Sequence, residues 1–508
     1  MAPPTSYGSV STPSGAAVPD LTVPSPPYPP LTRPKRGLLN RVAILLCAAV
    51  IGTSLIAVSR SWSGYVPPNR DNSKYNELTM EGSSCSVGLP KHGISGYFNL
   101  PNSSLRYFYY FAAAESKSMS KAPLILWMSG GPGCSSLLAA MMENGPCKVE
   151  RDEMGKARAH LAKFGWNNKA NVVWVDQPAG VGFSYGPDDA VLSSHDEVAD
   201  NMLSFLFRWQ ERFPDSHNGE LFIFAESFGG HYAPAVGRRY FDAERLGKAP
   251  PGLKLKGIGV GNGLTNPGIQ YKYASEFAYK NTYGIKAISK EQYDDMNENK
   301  LPSCLEKIHA CNSVVGSETD CLDAFIFCNT QLDTPYVESG YNVYDVRSKG
   351  NYKDDLNAVS EFVSQTEVRA ALDALNDKKF EACNMQVYAK FIGDWMREYD
   401  KAIPAMLDGG IDILIYAGDA DFICNWMGNL AWVNAMEWKG KKAFNEAENQ
   451  IFTLPNGEAG GEGKTSKIGH GGRLTFLRIY GAGHLAPRDQ PYTTQQMLNR
   501  FIANGGIH

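Results

Sequence analysis

The chain has 508 residues, 43% of them hydrophobic and 20% charged, enough apolar material for a large core and enough length for two or three domains. Its formal net charge is −4 with acids and bases interleaved, so it presents no basic stripe and steers no partner over long range. Nucleic acid is not an expected partner.

Residues 1–41 are rich in Pro, Ser and Thr and poor in large apolar side chains, so they read as a disordered tail. An apolar run from Val42 to Val58 follows, with Arg33, Lys35, Arg36 and Arg41 ahead of it. It predicts one membrane-spanning helix over 42–59, slightly short of the ~20 residues a bilayer needs. The basic residues ahead of it predict a cytosolic tail and a type II protein whose remainder lies in a lumen or outside the cell. A cleaved signal peptide followed by secretion is the competing reading, but the preceding tail is long and no small-x-small site closes the run. Tyr28-Pro29-Pro30-Leu31 has the form of an endosomal sorting signal, a pattern short enough to arise by accident in such a tail. Residues 60–84 read as a stalk or propeptide-like linker, and Asn102-Ser103-Ser104 is a glycosylation sequon usable in a lumen.

Short apolar runs then alternate with helix-like segments: Ala122-Trp127, Asn171-Val175, Leu221-Ala225, Ile258-Val260, Ile413-Ala417 and Leu474-Tyr480. These predict buried strands of a mainly parallel sheet. Ser194-His195-Asp196-Glu197 predicts a helix start carrying Val198, Met202, Phe205, Leu206 and Trp209 on one face. The alternation predicts an α/β fold with core segments at 85–266 and 393–508. Residues 267–392 break the rhythm and predict an inserted cap. Here lie Cys304, Cys311, Cys321 and Cys328, spaced too widely for zinc C-x-x-C pairs and with only His309 nearby, so no metal is expected and disulfides are. Of ten cysteines, Cys47 falls in the membrane run, so an odd one among the other nine stays unpaired.

Phe224-Ala225-Glu226-Ser227-Phe228-Gly229-Gly230 places a serine between an apolar strand and a Gly-rich helix start. This fits the nucleophile elbow of α/β hydrolases, with Ala225 where Gly is usual; an idle serine in a structural turn is the plainer alternative. Serine needs a base and an acid that orients it. His484, in Gly481-Ala482-Gly483-His484 after the last strand, is the expected base, and the carboxylates of Gly418-Asp419-Ala420-Asp421 follow an earlier strand. Spacing leaves Asp419 and Asp421 both open. His231, one helical turn after Ser227, reads as structural. Trp127-Met128-Ser129-Gly130-Gly131-Pro132-Gly133 offers unobstructed backbone N–H groups, making Gly131 and Phe228 the expected oxyanion donors. No Lys follows at phosphate-loop spacing.

Six stretches together, Ser129–Ser136, Asp176–Tyr185, Glu226–Tyr232, Gly261–Thr265, Gly418–Trp426 and Gly481–His484, closely resemble the serine carboxypeptidase family, which includes carboxypeptidase Y and cathepsin A. The resemblance implies an α/β-hydrolase fold and an enzyme that releases single amino acids from peptide or protein C-termini without a cofactor. It implies Asp421 as the orienting acid, the bridges Cys304-Cys328, Cys311-Cys321 and Cys134-Cys383, and Cys424 as a free thiol beside the substrate; Cys85 and Cys147 then pair by elimination. It also implies that Glu143 and Glu226 grip the substrate carboxylate with Ser129, which stands where the family has Asn. Two desolvated carboxyls cannot both ionise cheaply, so the resemblance implies an enzyme tuned to acid and a lysosome- or vacuole-like lumen. Leu138, Met142 and Leu485 match the leaving-residue pocket and imply a preference for hydrophobic ends. A homodimer is compatible with these features. An esterase, an acyltransferase of the same family and a protective scaffold are the competing functions; the first has no use for the two glutamates, and the last tolerates loss of the three catalytic residues, all present here.

Overall fold

Segments rich in β-branched and aromatic side chains, such as Arg106–Ala112 and Asn171–Val175, form strands, as expected for a buried sheet. In chain order the strands are β1 Gly93–Asn99, β2 Arg106–Ala112, β3 Leu124–Met128, β4 Cys147–Arg151, β5 Ala157–Leu161, β6 Asn171–Val175 and β7 Glu220–Glu226. They continue as β8 Lys254–Gly261, β9 Tyr341–Asn342, β10 Asp345–Lys349, β11 Asp412–Gly418, β12 Gln450–Thr453, β13 Ala459–Lys467 and β14 Arg473–Ile479. The computed structural model describes Cys85, Gly88, Pro90 and residues 93–507, apart from 102, 188–191, 193, 351–352, 375–377 and 468. The expected tail at 1–41, the membrane run at 42–59, the linker at 60–84 and the sequon residue Asn102 lie outside the described residues. Among those described, no helix is long and apolar enough to cross a membrane.

Ten strands form one sheet in the order β1-β2-β6-β3-β7-β8-β11-β14-β13-β12. From β6 to β14 the neighbours run parallel. The antiparallel pairs sit at the two margins. The sheet is thus wider than the six strands expected from apolar runs. β13, Ala-Gly-Gly-Glu-Gly-Lys-Thr-Ser-Lys, has no apolar alternation and owes its conformation to its antiparallel register with β14.

Central strands such as β3 and β6 are buried at every position. Successive side chains of β3 feed opposite faces: Leu124, Leu126 and Met128 enter one core, Ile125 and Trp127 the other. On the first face lie the helices His195–Arg212 and Gly229–Arg245. Ser194 caps the former by accepting from the Glu197 amide. Trp209 of that helix lies edge-on to Tyr109 at 5.5 Å and donates its indole N–H to Ser216 at 2.9 Å.

The stretch between β8 and β11 is mostly helical. Helices Leu301–Cys311 and Glu318–Cys328 are joined by two bridges, Cys304–Cys328 and Cys311–Cys321, with all four sulfurs buried. Two more bridges connect Cys85 to Cys147 and Cys134 to Cys383. Cys424 is free and buried. Four disulfides fit an oxidising compartment, the lumen of the secretory pathway or beyond.

Trp209 is completely enclosed, so Trp209→Ala is expected to cost about 3–5 kcal/mol in urea unfolding. A loss below about 1 kcal/mol would mean the core collapses around the void.

Candidate active site

β7 ends at Glu226, and the next residue, Ser227, has φ 63° before the backbone enters the helix Gly229–Arg245. A non-glycine residue in this left-handed region is strained by ~1–2 kcal/mol. The turn is held from outside: the Ser227 amide donates to the Gly261 carbonyl at 3.0 Å, and the Ser227 carbonyl accepts from the Leu264 amide at 3.0 Å and the Gly230 amide at 2.9 Å. Close packing explains the small residues around it. A Cβ on Gly230 would lie 2.4 Å from the Leu264 oxygen, and one on Gly130 would lie 2.5 Å from both the Phe228 nitrogen and the Glu226 oxygen. Ala225 is accommodated because its Cβ meets a glycine at position 229. The serine therefore projects from the end of a parallel strand with its helix amides directly behind it.

His484 follows β14 and is buried, its Nδ1 2.8 Å from Asp421 Oδ2. Its amide donates to the Tyr344 carbonyl at 2.8 Å and its ring lies 5.0 Å from the Tyr344 ring, both contacts made by the stretch between β8 and β11. Asp421 is fully enclosed and accepts from Asn262 Nδ2 at 2.9 Å and from the Ile423 and Cys424 amides at 3.2 Å. The two acids left open by spacing are thereby separated. Asp419 instead accepts from Tyr283, from the Gly481 amide at 3.0 Å and from Arg478 at 3.3 Å.

Gly131 has φ 109° in the loop after β3, and Gly130 abuts Phe228, so the Gly130–Gly131 backbone lies against the turn that carries Ser227. The loop is fastened by Ser136, whose Oγ accepts from the Ser129 amide at 3.0 Å. Asp176 fastens it from the side, accepting from Ser135 Oγ at 2.6 Å and from the Phe183 amide at 2.9 Å. Burial pushes the Asp176 carboxyl up to about 6.

Glu143 caps the C-terminal end of the helix Ser136–Met142, and its carboxyl meets that of Glu226 in a hydrogen bond. Burial and the neighbouring Glu143 charge raise Glu226 well above the usual carboxylate range, so Glu226 keeps the proton and donates it. Burial lifts Glu143 from 4.5 to about 7. One oxygen of each carboxyl is shut off from solvent without a partner, Glu143 Oε2 and Glu226 Oε1. Nearby, Ser129 Oγ accepts from the Trp127 indole at 3.1 Å. That contact uses an acceptor site and leaves the Ser129 hydroxyl proton to be donated elsewhere.

Leu138 and Met142 are buried in the apolar core on the Ile125 and Trp127 face of the sheet, and Leu485 is partly buried against that core. Cys424 belongs to the core on the other face of the sheet, and burial together with the Asp421 charge holds its thiol well above the ordinary range. A cavity of about 340 Å³ opens on Glu143, Lys148, His160 and Arg488 but on none of those three apolar residues. His231 is structural: its ring stacks on Phe228 at 4.7 Å, its Nε2 meets the Arg397 carbonyl at 3.0 Å, and burial lowers its pKa to about 3. Asn262, Asp176 and Tyr344 were not legible as site residues. The first two sit inside Gly-Asn-Gly and Asp-Gln-Pro stretches, but their partners lie far away in the chain.

A family model described as serine carboxypeptidase matches residues 86–504. Serine carboxypeptidase 3 from Oryza sativa subsp. japonica is 37% identical over 429 residues, covering 84% of this chain and 81% of its own length. Carboxypeptidase Y homolog A from Neurospora crassa is 35% identical over 441 residues, covering 85% and 76%. The crystal structure of the prohormone-processing carboxypeptidase Kex1 from Saccharomyces cerevisiae superposes with a TM-score of 0.68 at 24% identity, over 81% of this chain and 91% of that one, which establishes a shared fold.

The raised carboxyls fix the sign of a pH effect. Glu226 and Glu143 hold protons when folded that the unfolded chain releases above 4.5, so stability falls as pH rises from about 4.5 to about 7. Melting temperature is expected to drop between pH 5 and 7.5, and to drop less in Glu226→Gln. Identical profiles for the two proteins would remove the pair as the cause.

Proposed function

We propose, for a chain that belongs to the serine carboxypeptidase family, that Ser227 is the nucleophile, His484 its general base and Asp421 the acid that orients the imidazole. His484 takes the Ser227 proton as Oγ attacks the last peptide carbonyl, and the amides of Gly131 and Phe228 receive the developing oxyanion. His484 then gives the proton to the departing amino group, the terminal amino acid leaves, and water hydrolyses the acyl-enzyme by the same route in reverse.

The observation that carries this reading is the hydrogen-bonded Glu226–Glu143 pair, one residue from Ser227. A carboxylate arriving there meets a proton donor on Glu226 and the Ser129 hydroxyl, whereas an ionised pair would repel it. The shorter Ser129 side chain stands in for a longer amide and retains a donor. Leu138, Met142 and Leu485, all apolar and belonging to or packed against the core on the Ile125 and Trp127 face, favour a hydrophobic leaving residue. For the whole chain we propose a type II protein, anchored by residues 42–59, with the enzyme in an acidic lysosome- or vacuole-like lumen and a glycan on Asn102. Resistance to alkaline carbonate extraction is the expected behaviour of the anchor; release of the full-length chain into the soluble fraction would overturn it.

Three outcomes test the enzyme. Ser227→Ala is expected to lower release of free amino acid from a blocked dipeptide by about 10⁴-fold or more, while a C-terminally amidated peptide is cut far more slowly than the free acid. Rapid internal cleavage of the amide would exclude exopeptidase action. KM is expected to rise as pH climbs through about 7, where Glu143 loses its proton, and this rise should flatten in Glu143→Gln. Peptides ending in Phe or Leu should outpace those ending in Lys or Arg; the reverse order would overturn the assigned pocket.

A further inference from the structure

His484 stands at the end of a loop that cannot hold its own shape. Gly481-Ala482-Gly483 separates it from β14, and Gly481 has φ 66°. Glycines supply backbone freedom but no side chain to pack. An imidazole carried by such a loop keeps one orientation only if other segments grip the peptide groups ahead of it.

The hairpin of β9 and β10, residues 341–349, supplies much of that grip. Its Val343 carbonyl accepts from the Phe422 amide at 3.2 Å and the Ile423 amide at 3.1 Å, and its Val346 amide donates to the Ala420 carbonyl at 2.8 Å, so it holds the acid loop on both sides of Asp421. Between those two contacts, the Tyr344 carbonyl takes the His484 amide. Asp421 and His484 are thus pinned to one short piece of backbone.

Arg347 of the same hairpin reaches the base loop with its side chain. Its Nε and Nη2 donate to the two oxygens of Asp345 at 2.8 and 2.7 Å, a paired contact that fixes the plane of the guanidinium. Nη1 is thereby aimed at the Gly481 carbonyl, 2.9 Å away. Gln490 Nε2 donates to the same carbonyl at 3.2 Å. The guanidinium also lies 5.5 Å from the centre of the Tyr283 ring, and Tyr283 donates to Asp419, the acceptor of the Gly481 amide. Gly481 is therefore clamped at both ends of its backbone. Two residues on, the Gly483 amide donates to Asp489 at 2.7 Å, and that carboxylate lies 4.0 Å from Arg347.

Given His484 as the general base assigned above, we propose that Arg347 is a positioning residue for it. The guanidinium holds the Gly481 peptide, and through that peptide it keeps the imidazole on Asp421 and turned to Ser227. It acts through the loop, not on the substrate, so its loss falls on proton transfer rather than on binding. Misplacing a catalytic group by about 1 Å costs up to about 10²-fold.

Steady-state kinetics on a blocked dipeptide ending in Phe test this. Arg347→Met keeps an unbranched stem but no donor, and is expected to lower kcat by about tenfold or more with KM within about twofold of wild type. The Arg347 side chain is 32% exposed, so losing its ion pairs should leave the melting temperature nearly unchanged, and the vacated place is open to a small cation from solution. Guanidinium chloride, far below unfolding concentrations, should restore much of the lost kcat in Arg347→Met, and sodium chloride at the same ionic strength should not. A weakened fold would be harmed by guanidinium, not relieved. A kcat within about twofold of wild type in Arg347→Met, a loss carried mainly by KM, or a loss that guanidinium fails to restore overturns the inference. Failure of the base assignment itself would show separately, as wild-type turnover in His484→Ala.

Discussion

A serine held in the left-handed region at the end of a parallel strand is the constraint from which the centre is built. Such a residue relaxes unless its backbone is gripped, and here the Gly261 carbonyl and the Leu264 and Gly230 amides supply the grip. The turn fans three consecutive residues in three directions: the Glu226 carboxyl toward Glu143, the Ser227 hydroxyl outward, the Phe228 amide toward the Gly130–Gly131 loop. A strand continuing straight would have sent 226 and 228 to one face and 227 to the other.

Around that turn, each charged group is set by what encloses it. Asp421 is surrounded by donors, an Asn262 amide and two backbone N–H groups besides the imidazole. Glu226 and Glu143 are enclosed mainly with each other, and burial raises both above the usual carboxylate range.

The parts legible in the sequence are those where local geometry restricts residue type. A tight strand-to-helix turn demands small neighbours, so Ser227, Gly229 and Gly230 are visible as a pattern, as is the Gly130–Gly131 loop. The parallel strands announce themselves as apolar runs because both faces are covered. What spacing left undecided is decided by contacts between distant segments. Asp419 and Asp421 sit in the same turn, and only the approach of Arg478 and Gly481 to one and of Asn262 and His484 to the other tells them apart. β13 is illegible for a similar reason, since a glycine-rich strand takes its form from the neighbour it pairs with.

The bridge from Cys134 to Cys383 joins the loop that carries Gly131 to a segment 249 residues later. A ribosome finishing the Ser227 turn has made neither the Cys383 staple for its neighbouring loop nor the imidazole at 484. The Gly131 loop is thus fastened, and the imidazole at 484 brought to Asp421, only after nearly the whole polypeptide has been made.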